Sequence, residues 1–338
     1  MNALILEKKG LENLVVKEVK TPSVSSDEVM IRVSMVGIQA QDYIIAQTMS
    51  AYGENISPIP HILGEEIVGT VEDVGDKVRI IKKGDRVIVY HRIFDETCDL
   101  CKQGMENLCR NRGRIGINTN GGLAEFVVVK EHNVIKIGEN LDEETAVSLP
   151  VSIITPYHAL VKARVGLGDN VVVFGASGNT GMFAVQIAKR LGAKVIAVSR
   201  GDKSWLMEFG ADILATNQNI EEQVIKSTEG RGCDVVVYPL GKEMWETALK
   251  ITSYGGRIIA YGALTGGMIT MPLVPFYKDE ITLYGTRGGT RNELQRLSEI
   301  ATGFRTKVWK KYSLEESASA IADMVSPDRQ GRLLVYIE

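Results

Sequence analysis

Residues 171–181 read VVVFGASGNTG, and the organisation of the whole chain follows from this stretch. The apolar, β-branched and aromatic run 171–174 predicts a short strand buried on both faces. Three glycines come next, at 175, 178 and 181, and then the hydrophobic period changes. Ala184, Ile187, Ala188 and Leu191 fall at i, i+3, i+4 and i+7, one apolar face of a helix that stops at Gly192. Strand, glycine-rich turn and helix together predict a cradle for a diphosphate. The glycines let the backbone turn sharply and approach a ligand, and the helix N-terminus offers unpaired N–H groups. Gly175, Ser177, Gly178, Asn179, Thr180 and Gly181 are the predicted cofactor contacts.

The Gly-x-x-Gly-x-x-Gly spacing is one residue longer than the common dinucleotide fingerprint, so the neighbouring strand has to support it. That second strand is predicted at 194–198, and at its end, where a ribose-reading carboxylate usually sits, stand Ser199, Arg200 and, a little later, Lys203. An acid there repels a 2′-phosphate, whereas a hydroxyl and two cations attract one. The alternative is that Arg200 and Lys203 only cap and solvate a helix start. The expectation is NADP(H) rather than NAD(H).

The 338 residues suffice for two domains, and 44% hydrophobic residues with a net charge of -3 give no basic excess of the kind that marks nucleic-acid binding. The first residues lack the pattern of a secretory signal, and no apolar run approaches the roughly 20 residues of a membrane helix. No nucleic-acid or membrane partner is expected, and a cytoplasmic location is. Three of the four cysteines cluster at 98, 101 and 109, with Cys233 alone in an apolar run, a poor framework for disulfides.

Short apolar or alternating runs at 3–6, 29–36, 67–74, 86–90 and 125–129 predict a mostly β, barrel-like first domain. Further on, strands at 171–174, 195–198, 235–238, 257–261 and 281–284 alternate with helical stretches, the pattern of a doubly wound parallel sheet. Helical patterns at 291–302 and 314–324 and a last strand at 332–336 are expected to return to the first domain. The fold class is α/β.

Taken together, ILGEEIVGTVEDVG (62–75), KKGDRV (82–87), CDLCKQGMENLC (98–109), TPYHAL (155–160) and the glycine-rich turn make the chain resemble, over essentially its full length, the medium-chain dehydrogenase/reductase family. That family holds the zinc alcohol dehydrogenases and their zinc-free relatives among quinone and enoyl reductases. The resemblance implies a GroES-like catalytic domain over 1–152, to which 287–338 return, and a Rossmann NADP-binding domain over 153–286. It also implies an active site in the cleft between them and a role for Thr155 beside the nicotinamide ring.

The chain departs from the family at the catalytic zinc, which needs soft thiolate and imidazole ligands and one open position. The resemblance assigns the three ligand slots to Gln39, Glu65 and Val151: an amide, a carboxylate and a side chain without a donor. A catalytic zinc is therefore not expected. His61, His91, His132 and His158 read as structural or solvated. Asp42, Glu65 and Glu66 leave open an oxygen site for a hard cation; the alternative is that Glu66 pairs with Arg332. The family's second, structural zinc site keeps its C-x-x-C-x-x-C-x7-C spacing as Asp95, Cys98, Cys101 and Cys109. A carboxylate is an acceptable zinc donor, so one closed structural zinc is expected, the alternative being reduced or disulfide-bonded thiols without metal.

Without a Lewis acid, alcohol oxidation loses its activator, whereas reduction of an alkene conjugated to a carbonyl needs hydride, hydrogen bonds to the developing enolate and a proton. The expected function is NADPH-dependent reduction of an activated double bond or a quinone. Two alternatives stay open: a zinc-dependent alcohol dehydrogenase with an altered metal shell, and a non-enzymatic NADPH-binding protein. Gln39, Gln41, Tyr43 and Tyr52 are the candidate catalytic side chains, because their segment faces the cleft in the family. A small-molecule substrate and a homodimer or homotetramer are expected.

Overall fold

Alternating burial organises the first half of the chain. In EVMIRVSMVG, the strand Glu28–Gly37, the residues Val29, Ile31 and Val33 point into the core while Arg32 between them is exposed. The computed structural model describes residues 1–51, 54–56, 58–201 and 203–338. Glu28–Gly37 lies inside a seven-stranded sheet and pairs antiparallel with Glu66–Val74, which pairs with Arg86–Val89, which in turn pairs with Val134–Lys136. Phe126–Lys130 pairs with its first half. Register shifts after Met30 and Val33 bend the Glu28–Gly37 strand, as bulges do. A second, three-stranded sheet sets Asn2–Leu6 between Leu14–Glu18 and His61–Ile62.

The chain divides into two compact units, Met1–Val151 with Thr290–Glu338, and Ser152–Gly289. The C-terminal strand Arg332–Tyr336 enters the seven-stranded sheet antiparallel to Glu28–Gly37, with Leu334 opposite Gly37, and parallel to Val308–Tyr312. Its side chains Arg332, Leu333, Leu334 and Val335 are all buried.

The second unit is a six-stranded parallel sheet in the order Ile213–Ala215, Lys194–Val198, Asn170–Phe174, Cys233–Tyr238, Thr252–Ala260 and Thr282–Gly285. Every residue of Asn170–Phe174 is buried, as a central strand covered on both faces requires. Chain order reverses beside this strand: the next two strands lie on one side and the last three on the other. A crevice opens at such a reversal, beyond the carboxyl ends of the strands. The fold is α/β, a GroES-like β unit with a Rossmann unit.

The helix after the turn, Gly181–Arg190, differs from its expected one-sided pattern. All of Gly181, Met182, Phe183, Ala184, Val185, Gln186, Ile187 and Ala188 are buried, because the helix packs against the sheet and also against helix Ile154–Lys162. Among the described residues no helix is long and apolar enough to cross a membrane.

Candidate functional site

Gly175 succeeds the strand at once with φ 64, in the left-handed region, and so turns the chain at a small steric cost. Gly178 donates its N–H to the Gly175 carbonyl at 2.9 Å, and a Cβ there would lie 3.1 Å from that oxygen. A Cβ at Gly181 would overlap the Gly175 carbonyl outright. The first helical residue thus rests directly on the turn, which brings the free N–H groups of the helix start to the carboxyl end of the sheet. Asn179 is buried, Ser177 and Thr180 are half-buried, and the Tyr261 hydroxyl is buried near Thr180. Burial pushes the Tyr261 phenol up to about 12, so it remains a neutral donor. Its position just after the strand Thr252–Ala260 is not legible in the sequence, because nothing local marks it.

At the end of the neighbouring strand, Ser199 is buried; its N–H donates to the Ala215 carbonyl at 3.1 Å and its hydroxyl to the Gly201 carbonyl at 3.4 Å. Arg200 is exposed and Lys203 half-buried, so both cations stand at the rim of the second parallel strand. Thr155 is buried in helix Ile154–Lys162.

The lobe that holds the clustered cysteines is a short helix, Asp99–Lys102, and a tight 3-10 turn after it, and Arg110 clamps it with two hydrogen bonds to Asp99 at 2.6 and 2.7 Å. One ligand atom from each of Asp95, Cys98, Cys101 and Cys109 lies within 4.8 Å of the others. Cys98 Sγ and Cys109 Sγ are 3.9 Å apart. Four thiolates about 2.3 Å from a zinc ion would stand about 3.8 Å apart at the corners of a tetrahedron, so the donor set fits that ion. All four cysteines are free thiols. Asp95 accepts from the N–H groups of Thr97 and Cys98 at 2.9 and 3.0 Å, and these bonds hold its carboxyl well below the usual range and therefore ionised.

Glu65, which the resemblance assigns to a slot of the catalytic zinc, belongs to a buried charge cluster. Glu65 and Glu66 are buried, and Glu66 pairs with Arg332, both without exposed side-chain surface. Gly37 is small for this reason, since a Cβ there would overlap both partners. The Glu65 Oε2 lies 3.6 Å from Arg114 Nη1 and 3.8 Å from His91 Nε2, each of these side chains being buried. Arg114 also donates to Gln41 Oε1 at 2.8 Å. Asp42 accepts from the N–H of Gln39 at 2.8 Å and from that of Gly64 at 3.2 Å. Burial, with the nearby charges of Glu65 and Glu66, pushes its carboxyl up to about 7 against those two hydrogen bonds. These residues do not fit a catalytic zinc: Val151 has no donor, and the Glu65 carboxylate faces a guanidinium and an imidazole.

Of the candidate catalytic side chains, Gln39 is buried at the start of helix Ala40–Thr48, Gln41 belongs to the charge cluster, and Tyr43 packs against the core of the first unit. Tyr52 lies outside the described residues. Sequence reasoning missed Arg114 and the part played by His91. His91, expected as structural or solvated, is buried 3.8 Å from Glu65. The signal available was the pair Glu65 and Glu66 itself, since adjacent buried carboxylates call for cations. His61 is also buried, with Nε2 2.8 Å from the Gly116 carbonyl, and His132 contacts Glu96 at 3.0 Å.

Two domain models match this chain: the alcohol dehydrogenase GroES-like domain over residues 25–139 and the zinc-binding dehydrogenase domain over residues 180–302. The chain belongs to the zinc-type alcohol dehydrogenase-like medium-chain dehydrogenases/reductases. It is an NAD(P)-dependent oxidoreductase of that family, acting on small molecules. Among its relatives, the NAD-dependent alcohol dehydrogenase of Sulfolobus acidocaldarius is 30% identical over 345 residues, covering 100% of both chains. The acryloyl-coenzyme A reductase of Sulfurisphaera tokodaii is 32% identical over 94% of this chain and 95% of its own. The solved structure of a cobalt- and zinc-bound thermostable alcohol dehydrogenase from Pyrobaculum aerophilum superposes with a TM-score of 0.90 at 34% identity, covering 99% of each chain.

Proposed function

We propose that the protein reduces a carbon–carbon double bond conjugated to a carbonyl, with NADPH as donor and without a catalytic zinc. The observation that carries this reading is that Glu65, in a slot assigned to the family's catalytic zinc, faces Arg114 and His91. A carboxylate that faces a guanidinium and an imidazole does not hold a Lewis acid, so a substrate that is already electron-poor at carbon is the one that can react. The relationship to acryloyl-coenzyme A reductases supports the same substrate class.

When bound, NADPH supplies a hydride to the β-carbon of the alkene. The π-electrons then move onto the carbonyl oxygen, where protein hydrogen bonds stabilise the enolate, and a proton from a side chain or water adds at the α-carbon. We assign the cofactor to Gly175, Ser177, Gly178, Asn179, Thr180 and Gly181 for the diphosphate, to Ser199, Arg200 and Lys203 for the 2′-phosphate, and to Thr155 for the nicotinamide end. Asp95, Cys98, Cys101 and Cys109 hold one structural zinc, whose need for reduced thiols agrees with a cytoplasmic location. The strand Thr282–Gly285 ends the parallel sheet, and Leu264, Met268, Leu273, Val274 and Tyr277 are exposed near it in sequence. An open edge and a run of exposed apolar side chains support assembly into a homodimer or homotetramer.

The test is a screen of cyclohex-2-enone, quinones and enoyl thioesters against simple aldehydes and alcohols. Conjugated acceptors should be reduced with NADPH well ahead of aldehydes, and chelator-sensitive oxidation of a primary alcohol as the fastest reaction would refute the reading. Arg200→Ala should weaken NADPH by about 1.5–3 kcal/mol and leave NADH nearly unchanged, as loss of one charged hydrogen-bond partner predicts. Equal losses for both cofactors would refute the 2′-phosphate assignment.

A further inference from the structure

Among the described residues of the first unit, the buried side-chain nitrogens without a hydrogen-bond partner include two on side chains that are bonded to each other. Arg114 sits on the short strand Gly113–Arg114, which pairs with Arg92–Ile93, and its backbone is fixed by reciprocal bonds with Asn118, each 2.8 Å. Its side chain is 7% exposed. The Nη1 group donates to Gln41 Oε1 and faces Glu65, whereas Nε, out of contact with solvent, has no partner among the described residues. Gln41 completes the pattern. Because Arg114 is only a donor, it fixes the amide with Oε1 towards itself and leaves Nε2 on the other side. That Nε2 is also buried and also without a partner among the described residues.

Buried N–H groups are nearly always hydrogen-bonded, so two orphans on side chains joined by one hydrogen bond mark a place where an external acceptor completes the network. We propose that Arg114 and Gln41 are the donor pair that binds the substrate carbonyl oxygen and stabilises the enolate as it forms. The proposal deepens the reductase reading and rests on it for the reaction; its binding experiment does not need turnover. The charge balance selects the kind of oxygen. Glu65 offsets the Arg114 charge and Asp42 and Glu66 stand in the same cluster, so a carboxylate or phosphate gains little from entering. A neutral carbonyl enters without that penalty and gains as negative charge develops on it, which is the property a catalytic donor needs. Glu65 acts here as a positioning residue that holds the guanidinium.

Gln41→Glu keeps an acceptor for Arg114 and puts a carboxylate oxygen in place of the Nε2 donor; Arg114→Lys keeps a cation beside Glu65 and removes the Nε–H. Each should lower kcat/KM for cyclohex-2-enone at least 30-fold while the Kd for NADPH stays within twofold. In calorimetric titration of the NADP+-loaded protein, each should weaken cyclohex-2-enone at least tenfold. If Arg114→Lys does not fold, Gln41→Glu decides alone, since it preserves the hydrogen bond between the two side chains. Wild-type turnover with variants that keep both rate and enone affinity within twofold overturns the donor pair and leaves the reductase reading standing. Enone binding that is lost in the variants, without turnover in the wild type, supports the donor pair and overturns the reductase reading. A wild-type protein that binds no enone overturns the proposal.

Discussion

Arg332→Met removes one half of the ion pair between Glu66 and Arg332, and its cost can be worked from burial. Neither side chain has exposed surface, so the variant leaves the Glu66 carboxylate inside the core without its guanidinium. Breaking a buried pair in this way costs about 3–5 kcal/mol. The double replacement Glu66→Leu with Arg332→Met removes both charges. Because desolvation largely offsets attraction in such pairs, it should lie within about 2 kcal/mol of the parent protein. Hydrogen exchange of the paired strands Glu28–Gly37 and Arg332–Tyr336 is the suitable assay, since it reports opening of this sheet by itself. At about 1.4 kcal/mol per factor of ten, Arg332→Met should speed exchange there roughly 150- to 5,000-fold, and the double variant should recover most of that protection. A single variant that exchanges less than about fivefold faster, or a double variant as exposed as the sum of the singles, would refute the reasoning.

Native mass spectrometry should find about one zinc per chain, and stripping it should destabilise the 95–110 lobe while NADPH binding persists; loss of NADPH affinity with the lobe intact would count against a structural metal. Asp42, with its carboxyl raised to about 7 from 3.8, binds a proton on folding between those values. Its contribution to stability therefore falls as pH rises from about 4 to about 7. Asp42→Asn lacks this dependence, so denaturant unfolding should show its stability rising relative to the parent by up to about 2.6 kcal/mol between pH 5 and pH 8. A difference that is flat with pH would show that Asp42 does not titrate there.

What the sequence revealed was local. The 171–181 turn announced itself because the hydrophobic period changes across three glycines, and the 95–109 lobe because its ligand spacing is short-range. The strands Leu14–Glu18, Ile213–Ala215 and Val308–Tyr312 were missed, since each ends its sheet and is only partly buried, which blurs the alternation. The buried cluster was half-legible. Glu65 stands in a slot that a motif defines and Gln41 lies two residues past another, Gln39, but Arg114 lies in RNRGR, which reads as a solvated basic run. Its partner Gln41 is 73 positions away. Only the sheet topology brings Arg114 inward, and no periodicity encodes that. The Glu66–Arg332 pair spans 266 positions and was foreseen only as an alternative to a metal site.

The route of the chain through its two units also sets an order of events during synthesis. The parallel sheet is built from one uninterrupted segment, 152–289, and has all its strands once that segment has left the ribosome. The first unit cannot close its own sheet until the last residues emerge, because Arg332–Tyr336 pairs with Glu28–Gly37 across some three hundred positions. Throughout that interval the strand Glu28–Gly37 lacks its last neighbour and Glu66 lacks its cation. The N-terminal half therefore waits for the C-terminus with an open edge, the situation in which nascent chains are most exposed to misassociation. A chain stalled or truncated before residue 332 should keep a folded nucleotide unit and yet be held by chaperones through its β unit.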